Sequence, residues 1–222
     1  MNNTNSWHKI TGADKDEMLD RIIHENIRLA KKVADMQRVI KEYKSHAEHH
    51  KKRAETDQLT GVGSRHSLDT WEEIHYEPKK NTYIAICFDL VKFKYVNDTF
   101  GHDIGDKVLT IFAIKLLETF RFNMREDCAG KFFAPDNLFV RQGGDEFAVI
   151  LTLDPKISKV DFLKIIDERI NSNLIVNFED MGMGEEIRHH FMDVRCRYSY
   201  AFSEPRIDLE TLLQKADSKN KS

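Results

Sequence analysis

Between residues 14 and 57 the chain contains no proline and no glycine and is dense in charge, so no residue in that stretch forces a helix to stop. A single long helix over 14–56 is predicted, after a short tail over 1–13. With Leu19 at heptad position a, the a residues are Leu19, Asn26, Val33, Ile40, Ala47 and Ala54, and the d residues are Ile22, Leu29, Met36, Tyr43 and His50. A repeat of about 3.5 residues keeps one stripe facing a partner only when helices supercoil. The repeat is apolar through Tyr43 and then weakens. A lone Asn at an a position lowers stability while fixing register and favouring two strands, a role that suits Asn26. The expectation is a coiled-coil helix that forms a parallel homodimer; a helix packed along its own domain is the alternative. Near its end, HAEHHKKR puts His46, His49 and His50 on one face. That spacing suits zinc, but with no carboxylate or thiolate it equally describes a solvated face or a weakened seam.

Beyond residue 57 the pattern changes. Gly61 and Gly63 end the helical run, and TYIAICFDL at 82–90 reads as a buried strand that ends in an acid. Asp103 can cap a helix running to about residue 120, with Val108, Leu109, Phe112, Leu116 and Leu117 on its apolar face. NLFVRQGGDEFAVIL at 137–151 reads as strand, Gly-Gly turn, strand, because tight hairpins need the positive φ that glycine tolerates. A second amphipathic helix spans 157–170, VRCRYSYAF at 194–202 is another strand, and LETLLQKAD at 209–217 is a last short helix. The order predicts an α+β domain over 57–222: a ferredoxin-like, palm-type antiparallel sheet with helices on one face.

Composition limits the partners. The 222 residues are 41% hydrophobic and 32% charged, which suits one domain plus an extension. A formal charge of -3 creates no global field for nucleic acid or an anionic membrane, so a polyanion must be met locally. Cys87, Cys128 and Cys196 form no CxxC pair, which points to a reducing, cytoplasmic setting. The start MNNTNSWHKI lacks an apolar signal core, and no run reaches the roughly 20 apolar residues of a membrane span.

In such a sheet the end of the first strand lies beside the hairpin turn, so Asp89 approaches Asp145. Two carboxylates held together repel unless a divalent cation neutralises both. Magnesium, hard and oxygen-seeking, fits that place.

Four blocks follow one another in the globular part: DQLTGVGSR at 57–65, FDLVKFKYVNDTFGHDIGDKVL at 88–109, RQGGDEF at 141–147, and RYSYAF followed by LLQKAD. Together they resemble the GGDEF family of diguanylate cyclases over about residues 55–217. The resemblance implies an enzyme that condenses two GTP into cyclic di-GMP and two pyrophosphates across a homodimer. It implies Mg²⁺ or Mn²⁺, two per active site, held by Asp89, Asp145 and the Leu90 carbonyl. Glu146 would serve the second metal or the attacking hydroxyl. Asn97 and Asp106 match the residues that read the guanine edge. Backbone amides at Lys92 and Phe93, with the Lys94 ammonium, are placed to cradle the triphosphate, and Gly143 and Gly144 form the turn that faces the substrate. Taken singly, several have structural readings: Asn97 and Asp98 as a turn, His102 as a loop cap, Asp106 in a helical first turn.

The chain also departs from the family pattern. Val91 stands where the family usually has a second Asp, Ser64 replaces an Asn, and Ala201 replaces a glycine. The family's inhibitory product site is an RxxD pattern; its two positions here are Ala134 and Asn137, so no product inhibition through it is expected. The segment over 122–136 is long and reads as a surface loop. In the family the final helix continues past its Ala-Asp pair into an AKxxGRN segment whose Lys and Arg bind the triphosphate, whereas the sequence here stops at ADSKNKS. Either the chain is truncated, or Lys94 and other cations suffice, or turnover is weak. The alternative functions are a degenerate module that binds GTP or a cyclic dinucleotide and signals by interaction, and a cyclase making a different dinucleotide, which Asp106 disfavours. The input signal is expected from an upstream sensor protein docking on the helix.

Overall fold

A computed structural model of the chain describes residues 12–120, 137–182 and 192–218. Two compact units divide between residues 51 and 52. The first consists of helix α1, Gly12–Ala54, apart from its last turn. The apolar a and d residues of α1 from Leu19 to Tyr43 are all exposed, from 47% for Ile22 to 73% for Tyr43. His46, His49 and His50 are exposed as well.

The second unit is built on a six-stranded sheet of order β1-β3-β4-β2-β6-β5. Its elements in chain order are β1 (Gly63–Ser64), α2 (Ser67–His75), β2 (Tyr83–Leu90), α3 (Phe93–Phe100), α4 (His102–Phe120), β3 (Leu138–Gly143), β4 (Glu146–Thr152), α5 (Lys159–Asn173), β5 (Ile175–Val176), α6 (Phe178–Met181), β6 (Val194–Phe202) and α7 (Leu209–Asp217). The central strand β2 is antiparallel to β4 and to β6. β1 joins the edge of β3 in parallel. The α+β class, the hairpin and the long leading helix are as the sequence predicts.

Helices on one face of the sheet is the expectation that needs correcting. Ile84, Ile86, Phe88 and Leu90 of β2 join a core with Phe112 and Leu116 of α4 and Phe162 and Ile166 of α5. Tyr83, Ala85 and Cys87, on the opposite face, pack with Trp71 of α2 and Leu209, Leu212 and Leu213 of α7. β2 is covered on both sides, which is why its sequence is an unbroken apolar run rather than an alternation. Helix starts follow local chemistry. The Ser158 hydroxyl accepts from the Asp161 N–H at 3.1 Å to open α5, and the Asp208 carboxylate accepts from the Thr211 N–H at 2.7 Å to open α7.

The tail over 1–11, the expected loop over 122–136 with Ala134 and Cys128, and the last four residues lie outside the described residues. Among the described residues no helix is long and apolar enough to cross a membrane.

Candidate active site

The hairpin between β3 and β4 turns at Gly144 and Asp145, with Gly143 paired to Glu146. Gly143 has φ 154° and Gly144 φ 52°, conformations an L side chain resists. Arg141 secures this turn from behind. Its Nε and Nη2 donate to the Gly144 carbonyl at 2.9 and 2.8 Å, and its Nη1 reaches both carboxylate oxygens of Asp57 at 3.3 Å. Asp57 in turn accepts from the Thr60 N–H at 2.9 Å and the Thr60 hydroxyl at 2.6 Å. Burial pushes the Asp57 carboxyl up, but the Thr60 hydrogen bonds and the Arg141 guanidinium outweigh it and hold the group below the usual carboxylate range.

Asp89 lies opposite Glu146 on the neighbouring strand. Its position in the β2 alternation puts it on the face of Cys87, Ala85 and α7. A cleft of about 580 Å³ opens there, lined by Arg65, Asp89, Gln142, Glu146, Arg197 and Asp217 among others. Asp145 is half-buried in the turn beside it. Burial raises the Asp145 carboxyl above its ordinary value, and the charge of Asp89 raises it further, against smaller opposing effects of Arg141 and Arg197. Cys87 also lines the cleft, but burial pushes its thiol up to about 12, so it is a packing residue and no nucleophile.

The loop leaving β2 passes through Lys92, which has φ 61° and is the sole non-glycine residue with positive φ among the described residues. This left-handed residue turns the chain sharply into α3, whose first N–H groups lack helical acceptors and belong to Phe93 and Lys94. α3 packs on α4 through a close contact at Gly105. A Cβ built there would collide with the Asn97 side-chain oxygen and lie 3.0 Å from Asn97 Cγ and 3.3 Å from Phe93 Cζ. Asn97 is thus half-buried in α3 and set against the residue that precedes Asp106, which is exposed on α4.

Of the residues singled out in the sequence, Asp89 and Glu146 line the cleft, and Asp145 is coupled to Asp89 electrostatically. Asn97 packs against Gly105, the residue before Asp106, and lies in a helix and not in a turn, while Asp106 lies near the start of α4. Three residues the sequence did not flag belong to the surroundings: Arg141 and Asp57, which fix the turn, and Arg197. The last donates to Asp89 Oδ2 from Nη2 at 2.5 Å and from Nε at 3.2 Å. Its signal was its place in VRCRYSYAF, two residues before Ser199 on the same face of β6.

The profile of the diguanylate cyclase GGDEF domain matches residues 54–220. The chain belongs to the GGDEF family. Among its relatives, the response regulator PleD of Caulobacter vibrioides is 34% identical over 136 residues, 59% of this chain and 26% of that protein. The probable diguanylate cyclase DgcI of Escherichia coli is 41% identical over 96 residues, 43% of this chain and 18% of that protein. The chain therefore spans about a quarter or less of these relatives' length. In fold it is similar to the coiled coil and GGDEF domain of DgcB from Caulobacter crescentus, solved in complex with c-di-GMP, with a TM-score of 0.58 at 21% identity, covering 86% of this chain and 91% of that one. It is also similar to the diguanylate cyclase SiaD of Pseudomonas aeruginosa, solved in complex with its activator SiaC, with a TM-score of 0.52 at 23% identity over 93% of this chain and 72% of that one.

Within the GGDEF frame, two of the departures have structural explanations. The Ser64 hydroxyl donates to the carbonyl of Ala54, the last residue of α1, and Ala201 is buried in the α7-side core. Asn137 is buried, and its side-chain oxygen accepts from the Thr152 N–H at 3.2 Å, so it supports the hairpin. As a metal site, the donor set is hard oxygen, and the Asp145 carboxyl, raised chiefly by burial and further by the charge of Asp89, is one whose ionised form a cation would favour. The residues fit a divalent cation. Among the described residues no group of three His, Cys, Asp or Glu gathers as a ready-made metal cage, at the histidines of α1 or elsewhere; of the expected ligands, Asp89 and Glu146 line the cleft.

Proposed function

We propose that the chain is a diguanylate cyclase that condenses two GTP into cyclic di-GMP and two pyrophosphates. The observation that carries the reading is that β2 ends in Asp89, opposite Glu146 and next to the hairpin turn that bears Asp145, in a chain that also sets Asn97 against the start of α4. Asp89, Asp145, Glu146 and the Leu90 carbonyl would hold Mg²⁺ or Mn²⁺, two per site. Bound there, the cations supply neutralising charge at the α-phosphate and lower the pKa of a ribose 3′-hydroxyl. The chain's own residues do the rest. Asp106 accepts from the guanine N–H groups and Asn97 pairs at the far side of the base, which favours GTP over ATP. The amides at Lys92, Phe93 and Lys94, together with the Lys94 ammonium, receive the phosphates, and Gly143 and Gly144 let the backbone of the turn approach them. Glu146 orients the 3′-hydroxyl. Each 3′-hydroxyl loses its proton to solvent as its oxygen bonds to the α-phosphorus of the other nucleotide, the bond from that phosphorus to the α,β-bridging oxygen breaks, and pyrophosphate leaves.

One domain binds one nucleotide, so the reaction needs two copies facing each other. The exposed apolar stripe of α1 supports a parallel homodimer that raises the effective concentration of the second half-site. We assign 14–56 to dimerisation and signalling and 57–222 to catalysis, in the cytoplasm. An upstream sensor protein acting on α1 is the source of input; SiaD, with its activator SiaC, gives a precedent in the fold.

A second reading, a degenerate module that binds nucleotide and signals without turnover, is favoured by the pairing of Asp89 with Arg197 and by Val91 in place of an acid. Purified protein incubated with GTP, ATP or both, and with Mg²⁺ or Mn²⁺, followed by mass spectrometry, separates the two. Cyclic di-GMP from GTP alone supports the cyclase. GTP binding without any dinucleotide leaves the signalling module, and a mixed product would reassign the specificity.

A further inference from the structure

Arg197 lies across the sheet from Asp89 and faces the same cleft. Its guanidinium makes both of its hydrogen bonds to a single oxygen, Asp89 Oδ2. The Arg197 side chain is 66% exposed and that of Asp89 28% exposed. A half-exposed pair of this kind is held weakly, because water competes for both charges. The other charged lining groups are mostly acidic: Asp69, Glu72, Glu146, Glu210 and Asp217 stand against Arg65 alone as a second permanent cation. Phosphates that extend from the Lys92–Lys94 end into this cleft therefore meet a surplus of like charge, which a guanidinium turned toward them offsets beside Lys94. Arg is suited to that, since its planar fork binds phosphate oxygens as well as it binds carboxylate.

We propose that Arg197 is a nucleotide-phosphate ligand that occupies Asp89 until substrate arrives: the divalent cation takes Asp89, and the released guanidinium binds the triphosphate. The inference rests on the cyclase reading of the cleft. No covalent step is involved, only an exchange of ion-pair partners. The exchange makes metal and nucleotide binding cooperative, because each ligand removes the other's competitor.

The test uses the full chain and two readouts that a purely structural role would not move in opposite directions. Calorimetric titration with α,β-methylene GTP in Mg²⁺, which cannot release pyrophosphate, measures nucleotide affinity. Titration with Mn²⁺ followed by electron paramagnetic resonance, without nucleotide, measures access to Asp89. Arg197→Ala is expected to bind α,β-methylene GTP about tenfold more weakly, the effect of losing a charge-assisted contact, and to bind Mn²⁺ more tightly. Arg197→Lys, which keeps the charge and loses the fork, should fall between, and it serves as the variant should the Ala form not fold. Unchanged nucleotide affinity, or unchanged or weaker Mn²⁺ binding, in the folded variants overturns the proposal while leaving the cyclase reading intact. Failure of the unsubstituted chain to bind α,β-methylene GTP overturns both.

Discussion

Gly105→Ala isolates the geometry of base recognition from the chemistry of the carboxylates. The added methyl would overlap the Asn97 side-chain oxygen and press on Phe93 Cζ at 3.3 Å. Two effects oppose each other. Alanine in a helix is better than glycine by about 1 kcal/mol, whereas overpacking costs about 1–3 kcal/mol. The atom that must yield is the free end of a half-buried amide and not backbone, so the steric cost falls at the low end of that range. Net stability is expected within about 1 kcal/mol of the parent chain. Recognition should suffer more, because Asn97 yields by leaving the position from which we propose it meets guanine. One lost hydrogen bond of about 0.5–1.5 kcal/mol is a two- to tenfold weakening for GTP. ATP binding should change less, and the preference for GTP should narrow. Denaturant unfolding and calorimetric titration of both nucleotides, as α,β-methylene analogues, supply the numbers. A loss of stability beyond about 3 kcal/mol would show that Asn97 does not yield, and an unchanged GTP preference would show that its placement against Gly105 has no part in reading the base.

Other perturbations test the surroundings. Arg141→Ala removes the guanidinium that joins the Gly144 carbonyl to Asp57 and should cost about 1–3 kcal/mol in urea unfolding, with less product per unit time. Because Asp57 is held below its ordinary value of 3.8 in the folded chain, its stabilising effect is complete above that pH and is lost as pH falls through the folded value; Arg141→Ala should flatten this acid limb in pH-dependent melting. Asp145 has the opposite sign, since burial and the charge of Asp89 raise it. Ionising it at neutral pH therefore costs stability, so Asp145→Asn should raise the melting temperature while abolishing product. A variant that melts lower would contradict the argument that burial, with the charge of Asp89, disfavours the ionised carboxyl. Finally, with Ala134 and Asn137 at the RxxD positions, initial rates should not fall when cyclic di-GMP is added; non-competitive inhibition would mean that a product site exists elsewhere.

The strands and long helices were legible because their signals are local. The apolar run of β2, the Gly-Gly turn and the Ser158 and Asp208 caps each act within a few residues. α3 was not legible, because FKYVNDTF buries only Val96 and is rich in poor helix formers. It is held by its contact with Gly105, a tertiary effect. α2 likewise buries only Ser67 and Trp71. The second face of the sheet could have been inferred from the unbroken apolar run of β2, which has no polar side to give to water. In the site, Asp89 and Asp145 came from strand order and motif spacing. The Arg197–Asp89 and Arg141–Asp57 pairs join residues far apart in sequence, across strands or between a loop and a strand, and no local pattern announces them.

Phosphorus nuclear magnetic resonance of the purified chain turning over GTP with Mg²⁺ tests the central claim most directly. A cyclase produces one phosphodiester phosphorus for every pyrophosphate released, with both signals absent in Asp145→Asn. GTP that persists unchanged, or that yields GDP and inorganic phosphate instead, would contradict the account.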